Sequence, residues 1–295
     1  MNWRNFSLVV ALSLVSGVSF AQSNLLNAKT PQEIGKKTEA QLKSDNDKPL
    51  PYGYVHDRDV LMGKMVWEFI DLDERINFPM YFPVEGNLGP DRKSLYAVLV
   101  DNMKSGKIAE VYDDSYFTTK KSLKDIESSL SKIDTTDAGR EQYNAGEKIT
   151  EDNIVKTDIM PADVMGYKIK GYWYFDKRQG ELKYRLQGIC PVVPDVYTMG
   201  TEQEDPIELF WVYFPAVRDV LHEAKAFNDK NSALPITFDH LLNSRRFNGV
   251  IYQEENVMGD RKIEEYMKDN AQMQLLESER VKDKIRNFEQ DMWNY

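Results

Sequence analysis

At 295 residues the chain is long enough for one large domain or two modest ones, and its formal charge of −10 repels phosphate backbones, so nucleic acid is not expected as a partner. Its single cysteine, Cys190, excludes an internal disulfide and reads as a buried small apolar residue, since no base stands near it in sequence to activate the thiol.

The chain starts with Arg4, an apolar run from Phe6 to Val15 too short to span a bilayer, and then Ser19-Phe20-Ala21. This pattern predicts a secretory signal over residues 1–21, cleaved after Ala21, with no cysteine at the cleavage region to carry a lipid. Residues 22–51 are polar, end in "NDKPLP" and predict an extended arm or linker. A globular domain is expected over 52–259, followed by a helical segment over 260–295.

In "YGYVHDRDVLMGKMVWEFIDLDERINFPMYFP", residues 52–83, Leu61, Met65, Phe69, Leu72 and Ile76 recur every four or three residues. The spacing predicts a helix capped by Asp57 and stopped by Pro79. Lys64, Glu68, Asp71 and Arg75 form a second stripe on it. Opposite charges at this spacing keep carboxylates ionised on a wet or partner-facing surface, which argues against a catalytic carboxylate pair. A helix follows from Ser94 to Lys104 with Gly106 as its stop, then a strand over Lys107–Tyr112 and a short helix carrying Leu123, Ile126 and Leu130. Residues 133–153 lack periodicity and read as a loop.

The clearest strand pattern is "YKIKGYWYF", residues 167–175, joined by "DKRQG" to "ELKYRLQGI", residues 181–189. This is a hairpin with one buried face. Tyr172 and Tyr174 share one side of it and Trp173 and Phe175 the other. One pair is expected in the core, and the Tyr172 and Tyr174 side is a candidate docking surface or an aromatic platform for carbohydrate or peptide. "CPVVPDVY" is extended and proline-broken, "IELFWVYF" (207–214) reads as a buried strand, and Pro215 is placed to open a helix lined by Val217, Leu221, Ala224 and Phe227. "YFP" recurs at Tyr81–Pro83 and Tyr213–Pro215, which makes residues 76–114 and 208–254 candidate copies of one unit.

From Asp260 to Tyr295 there is neither proline nor glycine. Ile263, Met267, Ala271 and Leu275, then Val281, Ile285, Phe288 and Met292, predict a long amphipathic helix with a break near Ser278. Its second stripe, with Trp293 beside it, is expected to dock on a neighbouring subunit rather than only on its own domain. His56, His222 and His240 form no metal-ligand spacing, and neither a phosphate loop nor a nucleophile elbow is present. No catalytic residue, cofactor or metal is therefore expected. The elements add up to an α+β fold, helices on small antiparallel sheets.

The opening stretch, "YWYFDKRQGELKYRLQGICPV", "FWVYFPAVRDVL" and "LLESERVKDKIRNFEQDMW" together resemble the gliding-motility protein N family (GldN/PorN) of Bacteroidota, from about Pro51 to the C-terminus. The resemblance implies an exported, non-catalytic subunit of the type IX secretion and gliding machinery. Its implied partners are an outer-membrane lipoprotein (the K-type subunit), with which it builds a periplasmic ring, the periplasmic part of the motor's M-type subunit, and other copies of itself.

Overall fold

The computed structural model describes residues 48–85, 92–146, 148, 150, 153–200, 205–227, 236–268 and 270–293. The expected signal sequence and most of the expected arm lie outside them.

The first strand, β1 (Val60–Asp71), occupies the stretch expected to be a helix. The four-residue spacing of Leu61, Met65 and Phe69 is one helical turn, but it is also two strand repeats. Gly63 weakens a helix there, and the β-branched Val60, Val66 and Ile70 favour the strand. Asp57–Asp59 form a single 3-10 turn before it, capped by His56 rather than by Asp57. β4 (Gly166–Asp176) and β5 (Glu181–Pro194) form the expected hairpin, and β5 runs on through both prolines of "CPVVP". β6 (Pro206–Glu208), β7 (Val212–Tyr213) and β10 (Val250–Glu254) complete an antiparallel sheet in the order β10-β1-β4-β5-β6, with β7 also on β5. The "IELFWVYF" segment is buried as expected but is broken between β6 and β7. β1 is flanked by β10 and β4, so both its edges are paired. A side chain at Gly63 would run into the Tyr172 hydroxyl.

Helix α1 is a single turn, Phe78–Tyr81. α2 (Leu95–Lys104) has the expected bounds because the Ser94 hydroxyl accepts the Ala97 N–H. The strand expected over Lys107–Tyr112 is absent; only Tyr112 makes isolated bridges, to Lys120 and Trp211. α3 (Leu123–Leu130) follows as expected. The stretch expected to be a loop, 133–153, instead holds the end of β2 (Ser131–Thr135) and α4 (Asp137–Asn144) and leads into β3 (Ile154–Asp158), with β2 and β3 paired as a separate ribbon. Its elements are too short and too exposed to leave a hydrophobic period. α5 (Phe214–Glu223) begins with Pro215 in its first turn, and Val217 and Leu221 are buried. The two-residue strands β8 (Lys225–Ala226) and β9 (Ile236–Thr237) pair ahead of α6 (Phe238–Asn243).

The C-terminal segment is two helices. α7 (Ile263–Tyr266) is one turn and α8 runs Ala271–Trp293. The break expected near Ser278 falls between Met267 and Asn270, where the Asn270 side chain caps α8 by accepting the Met273 N–H. Ser278 is buried mid-helix, its hydroxyl taking the Ile251 N–H of the edge strand at 2.9 Å.

Pro49–Tyr295 pack as one unit. Directly opposed residues of antiparallel strands share a face. Ile70, Glu68, Val66, Lys64 and Met62 oppose Tyr167, Ile169, Gly171, Trp173 and Phe175, and so line one side of the sheet. That side carries two apolar clusters. Tyr167, Ile169 and Ile70 join the helices α2, α5 and α6 in the larger one. Val66 and Trp173 join Ile251, Ile263, Val281 and Ile285 in the other. The reverse side holds Trp67, Cys190 and Trp211. Among the described residues no helix is long and apolar enough to cross a membrane.

Candidate interaction surface and the charge pairs beneath it

Glu68 is the clearest correction to the charged stripe. On a helix it would face water; on β1 it points into the sheet's helix-covered side and is 1% exposed. A buried carboxylate needs a partner of opposite charge. Arg245, just past the end of α6, supplies two parallel hydrogen bonds to it, at 2.9 and 2.7 Å. The guanidinium also lies over the Tyr184 ring at 4.2 Å and the Trp173 ring at 5.0 Å. Burial works against the Arg245 charge, but the Glu68 carboxylate outweighs it and holds the guanidinium above its ordinary value. The pair fills the seam between the two apolar clusters, at the foot of a cavity of about 370 Å³ walled by Ile285 and Arg286 of α8.

The rest of the stripe is dispersed. Lys64 reaches Glu254 at 3.0 Å on the neighbouring strand and the Glu255 carbonyl at 2.7 Å. Asp71 accepts the Asp73 N–H, and Arg75 sits exposed in a 3-10 turn. Asp59 and Asp71 bracket a twelve-residue strand, about 40 Å at ~3.3 Å per residue. Asp57, Asp59, Glu68 and Asp71 therefore do not converge in one pocket. Among the described residues no group of three or more His, Cys, Asp or Glu side chains comes together to hold a metal.

The hairpin is covered on both sides, against the expectation of one bare face. Phe175 meets Phe288 of α8 at 5.8 Å, and Trp173 packs on Tyr184 at 4.9 Å. On the other side Tyr172 and Tyr174 stack at 6.0 Å, and Tyr174 is buried. Near it runs the segment from Leu50 to Val55. Tyr52 is held there between two guanidiniums, Arg218 at 4.2 Å and Arg185 at 4.6 Å, with its hydroxyl donating to Asn243 at 2.8 Å. Arg218 is itself fixed by Asp239 at 2.7 Å. Tyr172 and Tyr174 are thus no flat exposed platform.

The stripe on α8 is likewise used within the chain. Val281 and Ile285 are 1% and 7% exposed, buried against Val66 and Ile251. This corrects the expectation that the stripe docks on another subunit: a sheet long enough to reach the helix covers it. Met292 is half-buried, and the Trp293 side chain lies outside what the structure describes. The other half of the helix is the exposed one, with Met273, Leu275 and Leu276 bare and Tyr266 beside them in sequence order on α7. Ile76, Phe78 and Phe82 form a second bare group around α1, their two phenyl rings 5.4 Å apart. Ile133 and Ile154, on one face of the β2–β3 ribbon, make a third.

On the reverse side Lys170 is buried in an aromatic cage, its ammonium 4.8 Å from the Trp67 ring and 4.5 Å from Tyr116, and it donates to the Ser115 carbonyl at 3.0 Å. Burial pulls it below the ordinary lysine value, opposed by Asp260, Asp114 and Glu255. The loop over it is knotted by Asp114, which accepts the N–H groups of Tyr116 at 2.7 Å and Thr119 at 3.0 Å and the Thr118 hydroxyl at 2.6 Å. Partial burial pushes that carboxyl up, but the Thr118 hydroxyl and the backbone donors outweigh it and leave it below the ordinary 3.8. A carboxyl lowered on folding stabilises above its unfolded value and loses that contribution as pH falls below it. The melting-temperature gap between the native chain and Asp114→Asn should therefore be constant above about pH 5 and shrink as pH drops through 3.8. A gap that widens on acidification would refute the assignment.

Sequence reasoning placed the hairpin but missed Arg245, Lys170 and Tyr52. Arg245 and Tyr52 sit in no periodic pattern, Lys170 lies in a strand pattern that does not show what packs over it, and the Arg245–Glu68 pair spans 177 positions. Cys190 is buried as expected, and burial raises its thiol well above the ordinary value.

The charged groups of the opening stretch thus serve an α+β scaffold, and the apolar groups left bare are spread over many separate elements. Compared with models of protein families, residues 55–294 match the one described as "Gliding motility associated protein GldN". The chain belongs to this family, as the resemblance of its motifs implied. A search of curated proteins finds no match.

Proposed function

We propose that the chain is a non-catalytic structural subunit of the type IX protein secretion and gliding-motility machinery. It works in the periplasm after loss of residues 1–21. There it builds a ring with copies of itself and an outer-membrane lipoprotein of the K type, and it touches the periplasmic part of the M-type motor subunit. The family match over residues 55–294 carries this reading. Its physical support is the distribution of bare apolar surface. Rings close through head-to-tail contacts, which need two different patches on one chain. The group around Phe78 and Phe82 and the group around Leu275 and Leu276 are two such patches on distant elements. Patches of this kind mark protein contacts more often than chance exposure.

The test is assembly. The mature chain, purified alone and with its lipoprotein partner, is sized by light scattering and imaged by electron microscopy. The expected result is a large closed ring once the lipoprotein is present. Two species that elute separately at micromolar concentration would refute the reading.

A further inference from the structure

The β2–β3 ribbon stands apart from the main sheet, and among the described residues β2 is paired along one edge alone. The ladder sets which residues face the open edge. Ile159 N–H donates to the Leu130 carbonyl at 2.8 Å, and Thr136 N–H to the Asn153 carbonyl at 3.0 Å. Bonded pairs alternate along an antiparallel ladder, so Lys132 and Asp134 turn their backbone groups towards β3, opposite Thr157 and Val155. Ser131, Ile133 and Thr135 turn theirs outward. The Ser131 N–H goes to the Glu127 carbonyl and closes α3, and the Thr135 N–H goes to the Asp134 side chain at 2.8 Å. The N–H and carbonyl of Ile133 have no bonding partner among the described residues, and its side chain is 68% exposed. An open edge with an apolar residue at its centre is a template for another strand.

The sequence of β2, Ser-Lys-Ile-Asp-Thr, selects which strand. Laid antiparallel about Ile133 on a second copy of itself, it sets Lys132 opposite the copy's Asp134, Ile133 opposite Ile133, and Ser131 opposite Thr135. Both charge pairs are then of opposite sign. Centring on Lys132 or on Asp134, or laying the strands parallel, puts like charges face to face. The bonding phase agrees with the favoured register. Ile133 faces outward on both copies, so the two residues exchange both N–H to carbonyl bonds. The Thr135 N–H can pass to the copy's Ser131 carbonyl, which releases Asp134 for Lys132. Within one copy Lys132 and Asp134 lie 3.6 Å apart with both side chains open to water, so re-forming the pair between copies costs little.

We propose that β2 is a self-complementary edge through which two copies of this chain join about a two-fold axis, building a four-stranded sheet in the order β3-β2-β2-β3. The contact is isologous and joins copies two by two, so it differs from the head-to-tail contacts of a ring and does not depend on the ring proposed above. A five-residue strand covers too little area for a stable dimer, and the formal charge of −10 opposes the approach of copies. The contact is therefore weak in dilute solution and strengthens where copies are held close together.

The experiment uses the mature chain with Ile133→Cys, alone and combined with Lys132→Asp or with Asp134→Lys. Opposed residues of a bonded antiparallel pair have Cα atoms about 5.5 Å apart, within reach of a disulfide. Cys190 is buried and so kept from the reaction. Under mild oxidation Ile133→Cys should give a disulfide dimer. Each charge variant by itself should give at least about tenfold less, because every charge then meets its like. An equimolar mixture of the two charge variants should restore the yield as a mixed dimer, since one supplies two acidic and the other two basic side chains. Altered thiol reactivity would not produce that recovery. All these chains should melt together, as the substituted side chains are exposed. A yield indifferent to both charge variants, or a mixture no better than its components, overturns the proposal. So does the absence of a dimer from Ile133→Cys at about 1 mM chain. Ring formation with the lipoprotein is read by its own test and stands or falls separately.

Discussion

Arg245→Met should lower the unfolding free energy by about 3–5 kcal/mol, because it leaves the Glu68 carboxylate buried without its counter-charge. Both oxygens of Glu68 are satisfied by this one guanidinium, and the carboxylate lies in the row of β1 that faces the helices. Arg245→Lys should recover little of the loss, since an ammonium cannot make two parallel bonds or lie flat on Tyr184. Glu68→Met combined with Arg245→Met should recover much of it, as apolar groups of similar volume often replace a buried ion pair without loss. Denaturant unfolding of the native chain, Glu68→Met, Arg245→Met and the double variant forms a double-mutant cycle. A cost below about 1 kcal/mol for Arg245→Met would mean that the pair behaves as an exposed one.

Removing residues 279–295 should leave no folded monomer. The deletion takes away Val281 and Ile285, which close the smaller cluster over Val66 and Ile251. Ile285→Ala alone should cost about 2–5 kcal/mol. Leu276→Ser, on the bare half of the same helix, should change stability by less than about 0.5 kcal/mol. Circular dichroism melts of the two point variants give the contrast directly. A truncated chain that melts cooperatively near the native temperature would refute the assignment of α8 to the core.

The parts legible in sequence are those with one dominant local signal. Ser94 fixes the start of α2, Pro215 fixes the start of α5, and strict alternation in "ELKYRL" with the turn before it fixes the β4–β5 hairpin. The α+β class follows from these. β1 was misread because four-residue spacing serves helix and strand alike, and the error carried Glu68 to the wrong side of the chain. The β2–β3 ribbon gave no period because nearly all of it meets water. The charge pairs were illegible for a different reason: Glu68 with Arg245, and Tyr52 with Arg218, are brought together only by long-range packing, and nothing local marks them.

The place of β1 in the sheet bears on when the chain can fold. The first strand in sequence is flanked by β4 and by β10, the last strand, so residue 66 finds its partner at residue 254. A chain delivered N-terminus first holds β1 with one open edge until nearly all of it has arrived. The helix that seals this end, α8, arrives later still. Contacts of such sequence separation slow folding and leave an unpaired edge exposed meanwhile. The sheet is therefore completed only when its final strand has emerged.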